Sequence, residues 1–197
     1  MSSAGLAHWM RHVNAINPPT LVRAWLTEPG SLTAQLMAHS RHFRVRRIRQ
    51  ASGMILPDEQ HVLQLSRRVL VSQRNVVLEC DGVPVVFAHT SVPLSATASD
   101  WPLFGSLGER SLGSTLFGDP LVRRGALQFA RLSHRHPLIR RLEQTLGRQT
   151  EQTFFARRCV YRRRQGVLLV SEIFLPAIVA LALQSNAAYD GNQEFPL

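Results

Sequence analysis

The spacing of apolar and polar residues changes character along the chain. Through Leu21, Val22, Trp25 and Leu26 the apolar positions recur at helical intervals behind Pro18 and Pro19, two residues suited to a first helical turn. Residues 1–30 therefore read as helical, ending at the turn Glu28-Pro29-Gly30-Ser31. Ser31 is placed to cap a second helix over residues 32–39. From Phe43 the period shortens: Phe43, Val45 and Ile48 are interleaved with arginines, the pattern of a half-exposed strand.

Two hairpins follow. Asn75-Val-Val-Leu-Glu-Cys80 runs into Asp81-Gly82 and returns through Val83 to Val92, and Asp-Gly between β-rich runs is a strong tight-turn signal. Residues 154–164 turn near Gln165-Gly166 and return through Val167 to Leu175, where Pro176 ends pairing. Residues 122–132 form a further strand, and 133–152, helix-like from Pro137 to Leu146, form an excursion between strands. Strands so close in sequence pair antiparallel, because parallel neighbours need a crossover of a dozen or more residues. The expected class is α+β, a single antiparallel sheet with helices packed on one face and at the ends. One domain spans 1–185, followed by a polar tail, 186–197.

Strand alternation singles out two charges. Leu168, Val170, Glu172 and Phe174 share one face of the last strand and Val167, Leu169, Ser171, Ile173 and Leu175 the other, so both faces are apolar and the strand is covered on both sides. Glu172 is thus a carboxylate among apolar neighbours. Arg74 leads Val76, Leu78 and Cys80 on one face of the first hairpin and points where core side chains point. Lone buried charges are costly, which leaves two readings: Arg74 and Glu172 pair directly, or they hold opposite ends of a small polar ligand in an apolar pocket.

Composition narrows the partners. Of 197 residues, 23 are basic and 13 acidic, a formal net charge of +10, and every basic residue is arginine. The absence of lysine removes Schiff-base chemistry and a Walker P-loop. The surplus calls for an anionic partner, and arginine's planar fork suits carboxylates and phosphates. No helix-turn-helix, zinc-finger or RNA-recognition pattern accompanies it, so nucleic acid is not the expected partner. The longest apolar stretch, Ile173 to Leu183, has 11 residues and contains Pro176, short of the roughly 20 of a spanning helix. No apolar signal core opens the chain, and two cysteines, Cys80 and Cys159, are too few for a disulfide framework, so a cytoplasmic protein with inert thiols is expected. His134 and His136 lack further ligands at metal spacing and read as a solvated loop; no metal is expected. The glycine-punctuated run Leu107-Gly108 to Leu112-Gly113 reads as a mobile turn or a hinged lid.

In order along the chain, Trp25-Leu-Thr-Glu-Pro-Gly-Ser-Leu-Thr33, Gln73-Arg-Asn-Val-Val-Leu78 with Asp81-Gly82, Ala88-His-Thr-Ser-Val-Pro93, the lid run ending at Leu116-Phe117, Ala156-Arg157-Arg158 and Leu168-Leu-Val-Ser-Glu-Ile-Phe-Leu-Pro176 resemble the motifs of the chorismate pyruvate-lyase family. The resemblance covers residues 25–176 and rests on the ordered set. It implies an antiparallel sheet ringed by helices and a monomeric cytoplasmic enzyme that needs no cofactor. The implied reaction removes pyruvate from chorismate to leave 4-hydroxybenzoate for ubiquinone synthesis, with release of the aromatic product as the slow step. By that resemblance Arg74 meets a carboxylate, Glu172 the hydroxyl end of the ring, and Leu32 and Leu112 close the pocket, largely through backbone. Arg74 and Glu172 are also the implied catalytic pair. His89 stands where the family often has arginine, which leaves Arg157, Arg158 or His89 to meet the second carboxylate, and 133–152 is longer than the family pattern. The alternative is a non-catalytic module of the same fold that binds a small acid as an effector; such domains follow a winged helix-turn-helix, for which the stretch before Trp25 is too short.

Overall fold

The computed structural model describes residues 6–183; the polar tail lies outside them. Seven strands form one antiparallel sheet in the order β1-β2-β3-β7-β6-β4, with β5 also on β6. They are β1 (Phe43–Met54), β2 (Leu70–Cys80), β3 (Val83–Pro93), β4 (Val122–Arg124), β5 (Gln128–Leu132), β6 (Phe154–Arg163) and β7 (Gly166–Phe174). Both expected hairpins are present, and the β3–β7 pairing joins them, with Ala88 opposite Glu172 and Thr90 opposite Val170.

Turn chemistry explains the hairpins. Asp81 and Gly82 both take positive φ, 51° and 80°, the backbone that matches strand twist in a two-residue loop. In the second hairpin the positive-φ residue is Arg164 (53°), not a glycine, and Arg163 pairs with Gly166. The turn thus lies one residue earlier than its composition suggested, and Gly166 opens β7. Its lack of a side chain serves packing: a Cβ there would lie 2.3 Å from that of Asp100. Residues 122–132 form two strands rather than one. Gly125, whose N–H bonds the Val160 carbonyl at 2.8 Å, interrupts them, and a Cβ at Gly125 would approach that carbonyl to 3.0 Å.

Of residues 6–30, only Val13–Ile16, a 3-10 turn, and α1 (Thr20–Thr27) are helical; Met10 instead bridges to Phe129. After Ser31, whose hydroxyl accepts from the Ala34 N–H, comes α2 (Leu32–Ala38). Single turns α3 (Pro57–Gln60) and α4 (Leu94–Thr97) precede α5 (Leu112–Gly118) and α6 (Pro137–Leu146). Trp25, Leu26, Leu32 and Leu36 pack with Val45, Val76, Leu78 and Ala88 on one face of the sheet. Leu138, Ile139 and Leu142 of α6 pack with Val77, Phe87 and Ile173 on the other. Helical cover therefore extends to both faces, as the two apolar sides of 167–175 require.

Replacing Gly166 with alanine should lower the melting temperature, because the added methyl must displace the Asp100 backbone; overpacking of this kind costs about 1–3 kcal/mol. A thermal melt against Gly125→Ala, whose neighbour is 3.0 Å away rather than 2.3 Å, tests the ordering.

Candidate active site

Alternation places a row of side chains on the α1/α2 face: Arg74, Val76 and Leu78 of β2, Ala88 and Thr90 of β3, Val170 and Glu172 of β7, and Arg157 and Tyr161 of β6. Together with Leu32 of α2 and Ser111, Leu112, Gly113 and Leu116 at the start of α5, they line a partly open pocket. Its lining combines apolar walls with a few convergent charged groups, the make-up of a small-molecule site. Arg74, Glu172, Leu32, Leu112 and Arg157, five of the seven positions that the sequence singled out, line it together. In register, Glu172 sits two strands and one two-residue step from Arg74, which puts their Cα atoms ~12 Å apart from standard strand spacings.

The two charges do not pair with each other. Glu172 Oε2 accepts from Arg157 Nε at 2.5 Å. Arg157 is 2 % exposed, and its Nη1 donates to the carbonyls of Trp25, Leu26 and Glu28 (3.0, 3.2 and 3.2 Å) at the end of α1. Carbonyls at a helix C-terminus carry partial negative charge, so this cation is held from two sides. Its guanidinium also stands 5.7 Å from the Phe174 ring centroid. Burial, and then the charges of Glu172 and Cys159, raise the Tyr161 phenol well above its ordinary range, so its hydroxyl stays protonated.

Arg74 is equally buried, at 2 %, and no acid pairs with it among the described residues. Its Nη2 donates to the carbonyls of Gly108 (3.0 Å) and Arg110 (2.9 Å) in the segment leading to α5, while its buried Nε has no hydrogen-bond partner among the described residues. Burial, and then the like charge of Arg47, push its pKa down to about 10, so it remains a cation at neutral pH. The glycine-punctuated segment behaves as a cover: Gln50 of β1 donates to Phe104 O at 2.8 Å, and the Thr33 and Ser111 hydroxyls meet at 2.7 Å, joining the start of α2 to that of α5. Gly113 permits this approach, since a Cβ there would lie 3.0 Å from both Ser31 Oγ and Thr33 Oγ1.

His89 and Arg158 are not in the cavity. Each neighbours a lining residue in sequence and so points to the opposite face. His89 is fully buried there; its Nδ1 lies 2.6 Å from Asn75 Oδ1 and its Nε2 3.3 Å from Glu59 Oε1 and 3.0 Å from Ser91 Oγ. Arg158 donates to Gln128 Oε1 (2.8 Å) and to the Asp58 carbonyl (2.9 Å), and its guanidinium lies 4.3 Å from the Trp9 ring centroid. His136, expected in a solvated loop, is buried too: its ring caps α6 by accepting from the Leu138 N–H and meets Asp58 Oδ2 at 3.2 Å. Burial raises the Asp58 pKa, but the hydrogen bonds from His136 and Trp9 outweigh it and hold the carboxyl below its ordinary value. No group of three or more potential metal ligands occurs among the described residues, and both cysteines are buried free thiols.

The sequence reading missed Tyr161, Thr90 and the bond between Arg157 and Glu172. Tyr161 was accessible from alternation with Arg157 along β6; the ion pair required the register of the β6–β7 hairpin.

Comparison with known proteins addresses the family and the fold. The family model for chorismate lyase matches residues 4–182. A probable chorismate pyruvate-lyase of Cupriavidus metallidurans is 45 % identical over 89 % of this chain and 82 % of its own length. That of Ralstonia nicotianae is 40 % identical over 90 % and 95 %, and that of Methylobacillus flagellatus 44 % over 82 % and 90 %. Among solved structures, a GntR-family transcriptional regulator from Bacillus cereus matches with a TM-score of 0.52 at 12 % identity, covering 68 % of this chain and 92 % of that one. The effector domain of PhnF from Mycobacterium smegmatis matches with a TM-score of 0.50 at 17 % identity, over 75 % and 89 %. At such identities the structural likeness concerns the fold alone. The sequence likeness, running nearly end to end, decides the rest: the chain belongs to the chorismate lyase family.

Proposed function

We propose that this protein is a chorismate pyruvate-lyase, converting chorismate to 4-hydroxybenzoate and pyruvate in the cavity between Arg74 and Glu172. The observation that carries the reading is the unequal treatment of the two buried arginines. Arg157 has its carboxylate, whereas Arg74, which lines the same cavity, has a buried Nε without a hydrogen-bond partner and no paired acid among the described residues. A carboxylate placed there completes its hydrogen bonds, and each charge-assisted bond contributes about 1.5–3 kcal/mol.

The substrate lies flat across Val76, Ala88 and Thr90, with the ring carboxylate at Arg74 and the ring hydroxyl donating to Glu172, which Arg157 holds as an acceptor. In the reaction the ether C–O bond breaks, the hydrogen on the hydroxyl-bearing carbon is lost, and the ring becomes aromatic; the enolpyruvyl group leaves as pyruvate. Aromatisation makes the step strongly downhill. The side chains contribute a fixed conformer, exclusion of water and stabilisation of charge on the departing oxygen. Glu172 orients the ring hydroxyl instead of shuttling a proton, since its carboxylate is already engaged by Arg157. Leu32 and Leu112 close the cavity from α2 and α5, and release of the aromatic product limits turnover. The family relation supports a cytoplasmic enzyme supplying ubiquinone synthesis.

Purified protein in EDTA should bleach the ultraviolet absorption of chorismate while 4-hydroxybenzoate and pyruvate appear in equal amounts. Binding without conversion would favour an effector-binding module of the same fold. Arg74→Ala should weaken 4-hydroxybenzoate binding by roughly 10- to 100-fold, the loss of one charge-assisted bond. Titration calorimetry measures this, and unchanged affinity places the carboxylate elsewhere. Arg157→Gln should reduce kcat/KM by a similar factor by freeing Glu172, and Arg157→Lys should restore only part of it because an ammonium cannot reproduce the planar fork.

A further inference from the structure

The proposed substrate carries two carboxylates, and the cavity as described accounts for one. Arg157 is committed through Nε to Glu172 and through Nη1 to three carbonyls, and Arg158 and His89 lie on the far face. We infer that Arg47 of β1 is the residue that binds the second, enolpyruvyl carboxylate, and that it thereby distinguishes substrate from product. This inference rests on the chorismate reading above.

Register supplies the geometry. Arg47 pairs with Val76, Val76 with Ala88, and Ala88 with Glu172, so Arg47 stands in the same cross-strand row as the pocket floor and on the same face. Val45, the preceding β1 residue on that face, lines the cavity, and Gln50, the following one, pairs with Arg74 and tethers the cover at Phe104. Arg47 is thus flanked by a wall residue and a cover anchor, at the β1 rim of the pocket. It is exposed, and no acid pairs with it among the described residues. Its neighbours Arg44 and Arg46 are matched instead to Glu109 (3.9 Å) and Glu79 (2.7 Å). Arg47 is also the charged group whose field reaches Arg74. Two cations, one buried and one at the rim, with no anion between them, are an arrangement that a dianion relieves and a monoanion relieves only in part.

The chemistry separates the roles of the two arginines. The ring carboxylate is present in substrate and product alike, so Arg74 holds both. The enolpyruvyl group is joined through its ether oxygen to the ring carbon next to the hydroxyl-bearing one, so its carboxylate departs with pyruvate once that ether bond breaks. The aromatic product has no group left for Arg47.

The test compares wild-type protein with Arg47→Gln and Arg47→Lys, using the KM for chorismate and the dissociation constant of 4-hydroxybenzoate from competitive inhibition. Arg47→Gln should raise KM at least tenfold while leaving 4-hydroxybenzoate affinity within twofold, with Arg47→Lys between the two. The rise of KM with salt should be shallower in Arg47→Gln than in the wild type. An unchanged KM in an active Arg47→Gln protein overturns the assignment, as does a parallel loss of substrate and product affinity, which would mark a structural role. Failure of the wild-type protein itself to convert chorismate defeats the underlying reading, and it is visible before any variant is made.

Discussion

A guanidinium buried without an acid is the constraint on which the pocket turns. Arg74 is withdrawn from water as completely as Arg157, yet among the described residues its hydrogen bonds go to two carbonyls of the covering segment. Desolvating a cation is expensive unless an anion or a full set of acceptors replaces the water. On the proposed reading a carboxylate of the ligand would offset that cost. Because the same guanidinium grips Gly108 and Arg110, filling the site and holding the cover down are one event. Ligand affinity and water exclusion therefore share a single side chain.

The two faces of the sheet divide the work. Ala88 and His89, Arg157 and Arg158, and Ser171 and Glu172 are adjacent pairs in which one member points to the cavity and the other away from it. On the far side, Glu59, His89, Ser91 and Asn75 form a closed polar cluster, and Asp58, His136, Trp9 and Arg158 form another. These groups engage one another in a water-poor setting and link the strands whose other side forms the floor. A flat ligand needs such a floor; a flexible one would hold it without orienting it.

Much of this was legible in the sequence, and the limits have physical causes. The Asp81-Gly82 hairpin and the shared face of Leu168, Val170, Glu172 and Phe174 follow from turn chemistry and period-two alternation. The same alternation put Arg74 with Val76 and Leu78, and residues that face one way on two hairpins of one sheet meet once those hairpins pair. The partner of Glu172 depended on a finer detail. A turn at Gln165-Gly166 sets Glu172 against Cys159, whereas the actual turn, in which Arg164 takes the positive φ that glycine would be expected to take, sets it against Arg157. One residue of turn placement thus decides whether the buried acid has a cation. His136 and His89 escaped because their partners, Asp58 and Glu59, sit on a single helical turn with no periodic signal of its own.

Fold and chemistry are separable here. The regulators with a similar sheet show that this scaffold also occurs in effector domains, so catalysis has to come from how particular side chains treat the ligand. Groups that grip substrate and product equally lower KM without raising kcat, and a site built only from Arg74 and Glu172 would do this, since the ring carboxylate and hydroxyl survive the reaction. Selectivity for the reacting molecule has to come from contacts with what is lost, the enolpyruvyl group. A strong internal grip on the aromatic ring with a weaker rim contact to the departing fragment binds the product firmly and lets pyruvate leave first. On the proposed reading, slow release of the ring would follow from burying Arg74: the desolvation that would make the guanidinium an effective anchor for the substrate would make it an equally effective anchor for the product.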